Sequence, residues 1–304
     1  MSLYVTILGC SAAIPTRHRH CSAQVVNADG FKILIDAGES VQNQIRKSSI
    51  KMQSVGTILI SHLHGDHFFG LPGLISTMHL CGRTEPVDIF APEGLQEIME
   101  KIFALGKTVP NFEIRYHTIN CDSPVQILEN NKCKVTAFPI YHSVECYGFL
   151  VEEKMKALRS IQKDATRLYN LTPDEIFDIK RGADLVRDGK LIAENSLITM
   201  PRKAHRYAYC CDTSYNENLI SVVKNADLLC FDTTFDAKNE GVALEKGHGT
   251  SVHAAKLALE ANVGQLLLSH FSARFSKVDA LLAEAQAIFP NTIVAEDLKV
   301  IEIR

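Results

Sequence analysis

No part of the chain approaches the run of about 18 apolar residues that a membrane-spanning helix requires. Its start, Met1-Ser2-Leu3-Tyr4-Val5, lacks the charged segment and following apolar stretch of an export signal. It also lacks a C-x-x-C pair. The nine cysteines, at 10, 21, 81, 121, 133, 146, 210, 211 and 230, are odd in number and fit reduced thiols in a cytosol. Neither sign of charge dominates, since 32 Lys and Arg against 35 Asp and Glu leave a formal charge of only -3. Such a balance gives no global attraction to nucleic acid, so RNA binding would have to come from local basic patches. These absences imply a soluble cytoplasmic protein without a membrane partner. The 304 residues exceed the usual single-domain length, yet α/β folds of this size often form one domain around a large core.

What the chain does have is concentrated in Ser61-His62-Leu63-His64-Gly65-Asp66-His67, where His62, His64, Asp66 and His67 fall within six residues. Imidazole and carboxylate suit zinc and related divalent metals. In an extended segment His62 and His64 point to one side, because side chains alternate with period two. Asp66 and His67, after a turn at Gly65, can face a second position nearby. One loop can thus begin two metal sites about 3.5 to 4 Å apart, the spacing of two-metal hydrolases. The bland alternative is a polar loop rich in histidine.

The motif continues as Phe68-Phe69-Gly70-Leu71-Pro72-Gly73-Leu74 and is accompanied by Leu8-Gly9-Cys10-Ser11-Ala12-Ala13-Ile14-Pro15 and Leu34-Ile35-Asp36-Ala37-Gly38-Glu39. Further along come Tyr209-Cys210-Cys211-Asp212-Thr213, Gly247-His248-Gly249-Thr250 and Leu268-Ser269-His270-Phe271. The ligand motif resembles the metallo-β-lactamase superfamily, and the ordered set resembles its ribonuclease Z (transfer RNA 3′-processing endonuclease) family along nearly the whole chain. The resemblance implies an α/β metallo-β-lactamase-like four-layer αβ/βα sandwich, a single domain over 1–304 with a protruding helical arm at about 152–195.

It also implies a site. By likeness His62, His64 and His142 hold one zinc, Asp66, His67 and His270 hold the other, and Asp212 bridges them, with other divalent metals as alternatives to zinc. Asp36, which by its position alone could merely cap a turn, is implied as the partner that orients a metal-bound histidine. Asp66 would orient the attacking water and accept its proton. His248 is the candidate proton donor, with a phosphate-contacting loop histidine as the alternative. The implied substrate is precursor tRNA, cut after the acceptor stem to leave a 3′-hydroxyl, and the implied assembly is a homodimer. A related metallo-hydrolase of a small phosphodiester, sulfate ester or lactone is the first alternative. A non-catalytic, metal-dependent RNA-binding protein is the second.

The remaining chain supplies scaffold. Apolar runs predict strands at 3–8, 33–35, 57–61, 87–90, 112–119, 125–128, 135–138, 147–151, 206–211, 227–231 and 265–269. Helices are predicted at 71–80, 93–105, 251–261 and 278–288, and 300–303 is expected to close the second sheet. His79, His117 and His253 read as structural or surface residues, and Asp232 as either a turn carboxylate, the preferred reading, or a group that supports the site from behind its ligands. Arg17-His18-Arg19-His20 could meet phosphate or form a solvated loop, and the family commonly has Arg-Asn where Arg19-His20 stands. Within the arm, Lys156, Arg159, Lys163 and Arg167 fall at i, i+3, i+7 and i+11, one face of a helix, with Met155, Leu158, Ala165 and Leu168 opposite. This basic stripe is the candidate RNA contact, against a solvated insertion or dimer contact. Thr172-Pro173-Asp174-Glu175 starts a second helix, and the family's Gly-Pro tip is replaced by 171–183.

Overall fold

Strand after strand in this protein alternates between two apolar environments, which requires a sheet covered on both faces. Ile33 and Ile35 enter one buried cluster while Leu34 enters another; Leu3, Val5 and Ile7 likewise part from Leu8. Period-two alternation sends successive side chains to opposite faces. The computed structural model describes residues 3–154, 160–162, 164–199 and 203–303. It divides into two compact units, Met1–Glu153 with His205–Arg304, and Lys154–Ala204.

The larger unit holds two seven-stranded sheets. The first runs, edge to edge, Val300–Ile303, Leu3–Gly9, Ala23–Ala28, Phe31–Ile35, Val55–Leu59, Val87–Ala91 and Ile114–Thr118. The second runs Thr292–Val294, Gln265–Ser269, Leu228–Asp232, Arg206–Cys210, Tyr147–Glu153, Cys133–Pro139 and Val125–Glu129. Their facing surfaces share one core that includes Val5, Ile35, Phe138, Phe149 and Tyr207. Helices Leu71–Leu80 and Leu95–Leu105 cover the outside of the first sheet through Ile75, Met78 and Met99. Ser251–Glu260 and Asp279–Gln286 pack on the second through Ala254, Leu257 and Leu281. The result is the helix–sheet–sheet–helix layering of the metallo-β-lactamase fold.

The last strand departs from expectation. Val300–Ile303 pairs antiparallel with Leu3–Gly9, Leu3 opposite Ile303, and so closes the first sheet. Its burial alternates, with Ile301 and Ile303 buried and Val300 and Glu302 exposed, as suits an edge strand with one core face. The edge of the second sheet is taken by Thr292–Val294.

Among the described residues of the smaller unit the continuous basic helix is not found. Ser160–Ile161 is a strand paired with Ile198–Thr199, and the helix Ala165–Leu168 starts only afterwards. Lys156, Arg159 and Lys163 lie outside the described residues; Arg167 is exposed on the short helix. The apolar residues here serve a small core of Ala165, Leu171, Ile179, Leu185, Leu197 and Ile198, with Ile161 packed on it. Pro173–Lys180 is the expected second helix: Thr172 accepts from Glu175 N, and Glu175 accepts in return from Thr172 N at 2.9 Å. A hairpin of Leu185–Arg187 and Lys190–Ile192 turns through Asp188 and Gly189, both at positive φ, a sequence signal the helical reading passed over.

One close approach fixes the end of the histidine-bearing segment against the first sheet. Gly70 N donates to Ala37 O at 2.8 Å, and a Cβ on Gly70 would lie 2.1 Å from Gly38 O. Gly70→Ala is therefore expected to cost about 1–3 kcal/mol in denaturant unfolding, because the obstacle is backbone. Gly241→Ala, at a helical glycine with nothing within 4 Å, should be neutral or slightly stabilising. Equal stability of the two variants would contradict the packing described.

Candidate metal centre

The candidate ligands sit on loops at strand ends. Val55–Leu59 leads into the loop carrying His62 and His64, and His64 caps the short helix Gly65–Phe68 that bears Asp66 and His67. Phe31–Ile35, Arg206–Cys210 and Gln265–Ser269 deliver Asp36, Asp212 and His270. These three have left-handed φ values of 59°, 57° and 61°. Asp and His are among the non-glycine residues that tolerate this region best, and the conformation turns the chain sharply where each strand stops. His142 follows Cys133–Pro139.

The side chains form two groups that share one carboxylate. His62, His64, His142 and Asp212 offer ligand atoms within 4.8 Å of one another, as do Asp66, His67, His270 and Asp212. Asp212 Oδ2 lies 3.5 Å from His62 Nε2 and 3.8 Å from His142 Nε2. Its Oδ1 lies 3.1 Å from His67 Nε2 and 3.0 Å from His270 Nε2. Despite these distances, Asp212 Oδ1 and His62 Nε2 are buried atoms without a hydrogen-bond partner. Orphaned polar atoms of this kind are costly unless something else satisfies them. The donor set, five imidazoles and two carboxylates, fits metal ions.

The titration of these groups follows from their crowding. Burial, reinforced by His67, pushes the His62 imidazole down to about 2, so its nitrogen lone pair is free. Burial would also lower His67 and His270, but the carboxylate of Asp212 foremost among their neighbours holds both well above the ordinary value. Burial would raise Asp212, yet His270, His67 and His62 hold it well below the usual carboxylate range.

The outward nitrogens of these rings are anchored. His67 Nδ1 lies 2.7 Å from Asp36 Oδ2, and Asp36, fully buried, also accepts from Ser61 N, Ser61 Oγ and Tyr209 OH. His142 Nδ1 is 3.1 Å from Gly247 O. Asp66 Oδ2 accepts from Ala13 N at 2.7 Å, a contact made by the loop after the first strand.

Asp232 is not the turn carboxylate that its place at a strand end suggests. It is fully buried, 2.8 Å from His248 Nδ1, and accepts from Thr213 N, Thr234 N and Thr234 Oγ1. The physical reason is the loop 247–250, which brings His248 over the strand end. Burial would lower His248, but Asp232 raises it above the ordinary value.

His248, Asp66, Asp212 and His270 line a cleft of about 210 Å³ with Lys246, Arg274 and Phe235. Arg274 stacks on Phe235 with 4.6 Å from the guanidinium carbon to the ring centroid. Both cations were passed over in the sequence, where neither belongs to a charge cluster. Arg17 and His18 are exposed, whereas Arg19 is tied to Ser272 O and Phe275 O and His20 to Asp297, so this run is only half a solvated loop. His117 faces solvent beside Asp88; His79 meets Asn111; His253 is buried against Glu240.

Deleting a shared ligand should be more damaging than deleting an outer one. His64→Ala is expected to reduce metal content, and Asp212→Ala to reduce it further, since Asp212 faces both groups. Elemental analysis of the purified variants checks this; a full complement in Asp212→Ala would remove that residue from the ligand set.

Comparison with known proteins bears on this site as a whole. The chain is 39% identical over 292 residues to ribonuclease Z of Bacteroides thetaiotaomicron, covering 96% of this chain and 92% of the relative. It is 37% identical over 294 residues to ribonuclease Z of Porphyromonas gingivalis, covering 96% of each. Among solved structures it is similar to human tRNase Z, short form, with a TM-score of 0.72, 27% identity and 99% of both chains covered. The metallo-β-lactamase fold protein YhfI from Bacillus subtilis gives a TM-score of 0.71 at 21% identity over 99% of this chain and 100% of that one, a likeness of fold. Residues 3–205 also match the family model described as anti-Pycsar protein Apyc1. With relatives this similar over nearly its full length and a site of this composition, the chain belongs to the ribonuclease Z family of metallo-β-lactamase-fold proteins, and its residues 3–205 fall at the same time within the family model that carries the Apyc1 description.

Proposed function

We propose that the protein is a metal-dependent endoribonuclease that removes the 3′ trailer from precursor tRNA and leaves a 3′-hydroxyl. The observation that carries this reading is the pair of ligand groups joined through Asp212, with the His248–Asp232 pair on the same cleft. Zinc, two ions per subunit, suits the imidazole-rich donor set: His62, His64 and His142 would hold one, Asp66, His67 and His270 the other, and Asp212 would serve both. When bound, the ions supply Lewis acidity, lowering the pKa of water toward neutrality and offsetting negative charge on phosphate.

The chain's own groups do the rest. Asp66, steadied by Ala13 N, orients the attacking water and takes its proton as the new oxygen–phosphorus bond forms. His248 has Nδ1 committed to Asp232, which leaves Nε2 to deliver a proton to the departing 3′ oxygen. Lys246 and Arg274 on the cleft wall supply positive charge for the phosphates. The phosphate leaves on the trailer. Family likeness supports a homodimer, and an odd number of cysteines with no C-x-x-C pair supports a cytoplasmic setting. Among the described residues no helix is long and apolar enough to cross a membrane.

For His248→Ala, metal content should hold while cleavage of precursor tRNA falls by about 10² to 10⁴-fold. An activated phosphodiester, whose leaving group needs little protonation, should be affected far less. Equal slowing of both substrates would remove the acid role.

The unit Lys154–Ala204 contains none of the proposed ligands. Replacing it with a short linker should leave hydrolysis of a small phosphodiester intact, raise KM for precursor tRNA and flatten its salt dependence, because phosphate contacts carry a salt-sensitive share of affinity. Reversing Lys156, Arg159, Lys163 and Arg167 to glutamate is the milder form. An unchanged KM and salt slope in both variants would take RNA contact away from this unit.

A further inference from the structure

Two buried hydroxyls occupy equivalent places around the centre. Ser61 Oγ is 2.9 Å from Asp36 Oδ2 and 3.0 Å from His62 Nδ1. Thr234 Oγ1 is 2.6 Å from Asp232 Oδ1 and 2.9 Å from His270 Nδ1. In each case the same carboxylate also holds a second imidazole directly: Asp36 holds His67 at 2.7 Å, and Asp232 holds His248 at 2.8 Å. The direct path from His270 Nδ1 to Asp232 Oδ1 is 3.8 Å, too long for a hydrogen bond, and the threonine hydroxyl spans it.

The direction of these bonds follows from valence. A ring whose Nε2 faces a ligand group must use Nδ1–H as a donor, and Nε2 of both His62 and His270 faces Asp212. Each hydroxyl then accepts from its imidazole and has one proton left to give. For Thr234 the competing acceptor is His270 O at 3.0 Å, but the carboxylate is nearer and charged. We propose that Ser61 and Thr234 are positioning residues, hydroxyl relays through which Asp36 orients His62 as well as His67, and Asp232 orients His270 as well as His248.

The two relays differ in what they join. Ser61 and Asp36 connect one imidazole from each ligand group. Thr234 and Asp232 connect a ligand of one group to the proposed proton donor, so losing Thr234 disturbs metal retention and proton delivery together. This inference rests on the metal-dependent reading above.

The test titrates zinc alone, under chelator competition, into wild type, Ser61→Ala, Thr234→Val and Thr234→Ser, with thermal unfolding of each apoprotein as the check on folding. Thr234→Ala serves if the valine variant does not fold. Removing a partner of this kind typically weakens metal affinity by about 10–100-fold. That loss is expected for one zinc in Ser61→Ala and in Thr234→Val, while Thr234→Ser keeps the wild-type affinity. At saturating zinc, Thr234→Val should slow precursor tRNA more than an activated phosphodiester, whereas Ser61→Ala should slow both alike. Wild-type zinc affinity in both Ser61→Ala and Thr234→Val, or a loss in Thr234→Ser equal to that in Thr234→Val, would overturn the relays while leaving the metal reading intact. A wild-type protein that retains no zinc would overturn both.

Discussion

Everything in this site depends on bringing many lone pairs together in a largely buried place at the foot of a cleft. His142 Nε2 and His64 Nδ1 come within 3.2 Å, and His67 Nε2 and His270 Nε2 within 3.3 Å. Asp212 adds one oxygen to each cluster. Bare imidazoles and a buried carboxylate at these separations are poorly satisfied, and a cation is what makes them compatible. The fold withstands the crowding by a second ring of polar groups. Asp36 collects donors from the histidine motif and, through Tyr209, from the opposite sheet, so the carboxylate also fastens the two sheets together.

How much of this could be read in advance depended on sequence distance. His62, His64, Asp66 and His67 were legible because four ligands in six residues have little other use. His142 was not legible by itself: it lies 78 positions from His64, a single histidine after a strand, and only family likeness singled it out. Asp36, Asp212 and Asp232 look the same in sequence, each a carboxylate at or just past a strand end. What separates Asp232 is the later loop that lays His248 on it, and that is a tertiary fact. Ser61 and Thr234 gave no signal, since a hydroxyl beside a histidine or aspartate is commonplace.

The same limit explains the fold-level misses. The alternation in Val300–Ile303 shows a half-buried edge strand, but two sheets offered open edges and periodicity does not choose between them. Between 155 and 168 the basic spacing fits a helix, yet Ile161 finds a better partner across the unit in Ile198. A unit of about 50 residues has few apolar side chains for its core, and pairing overrides local periodicity. The second helix, by contrast, was legible because its capping box is purely local.

The central claim is that this cleft cuts precursor tRNA at one phosphodiester. The most direct measurement is to incubate the zinc-loaded wild-type protein with a precursor tRNA carrying a 3′ trailer and map both new ends. The account predicts a single cut after the acceptor stem, with a 3′-hydroxyl on the tRNA and a 5′-phosphate on the trailer. A protein that holds its zinc but leaves the precursor intact, or leaves phosphate on the tRNA side, would contradict it.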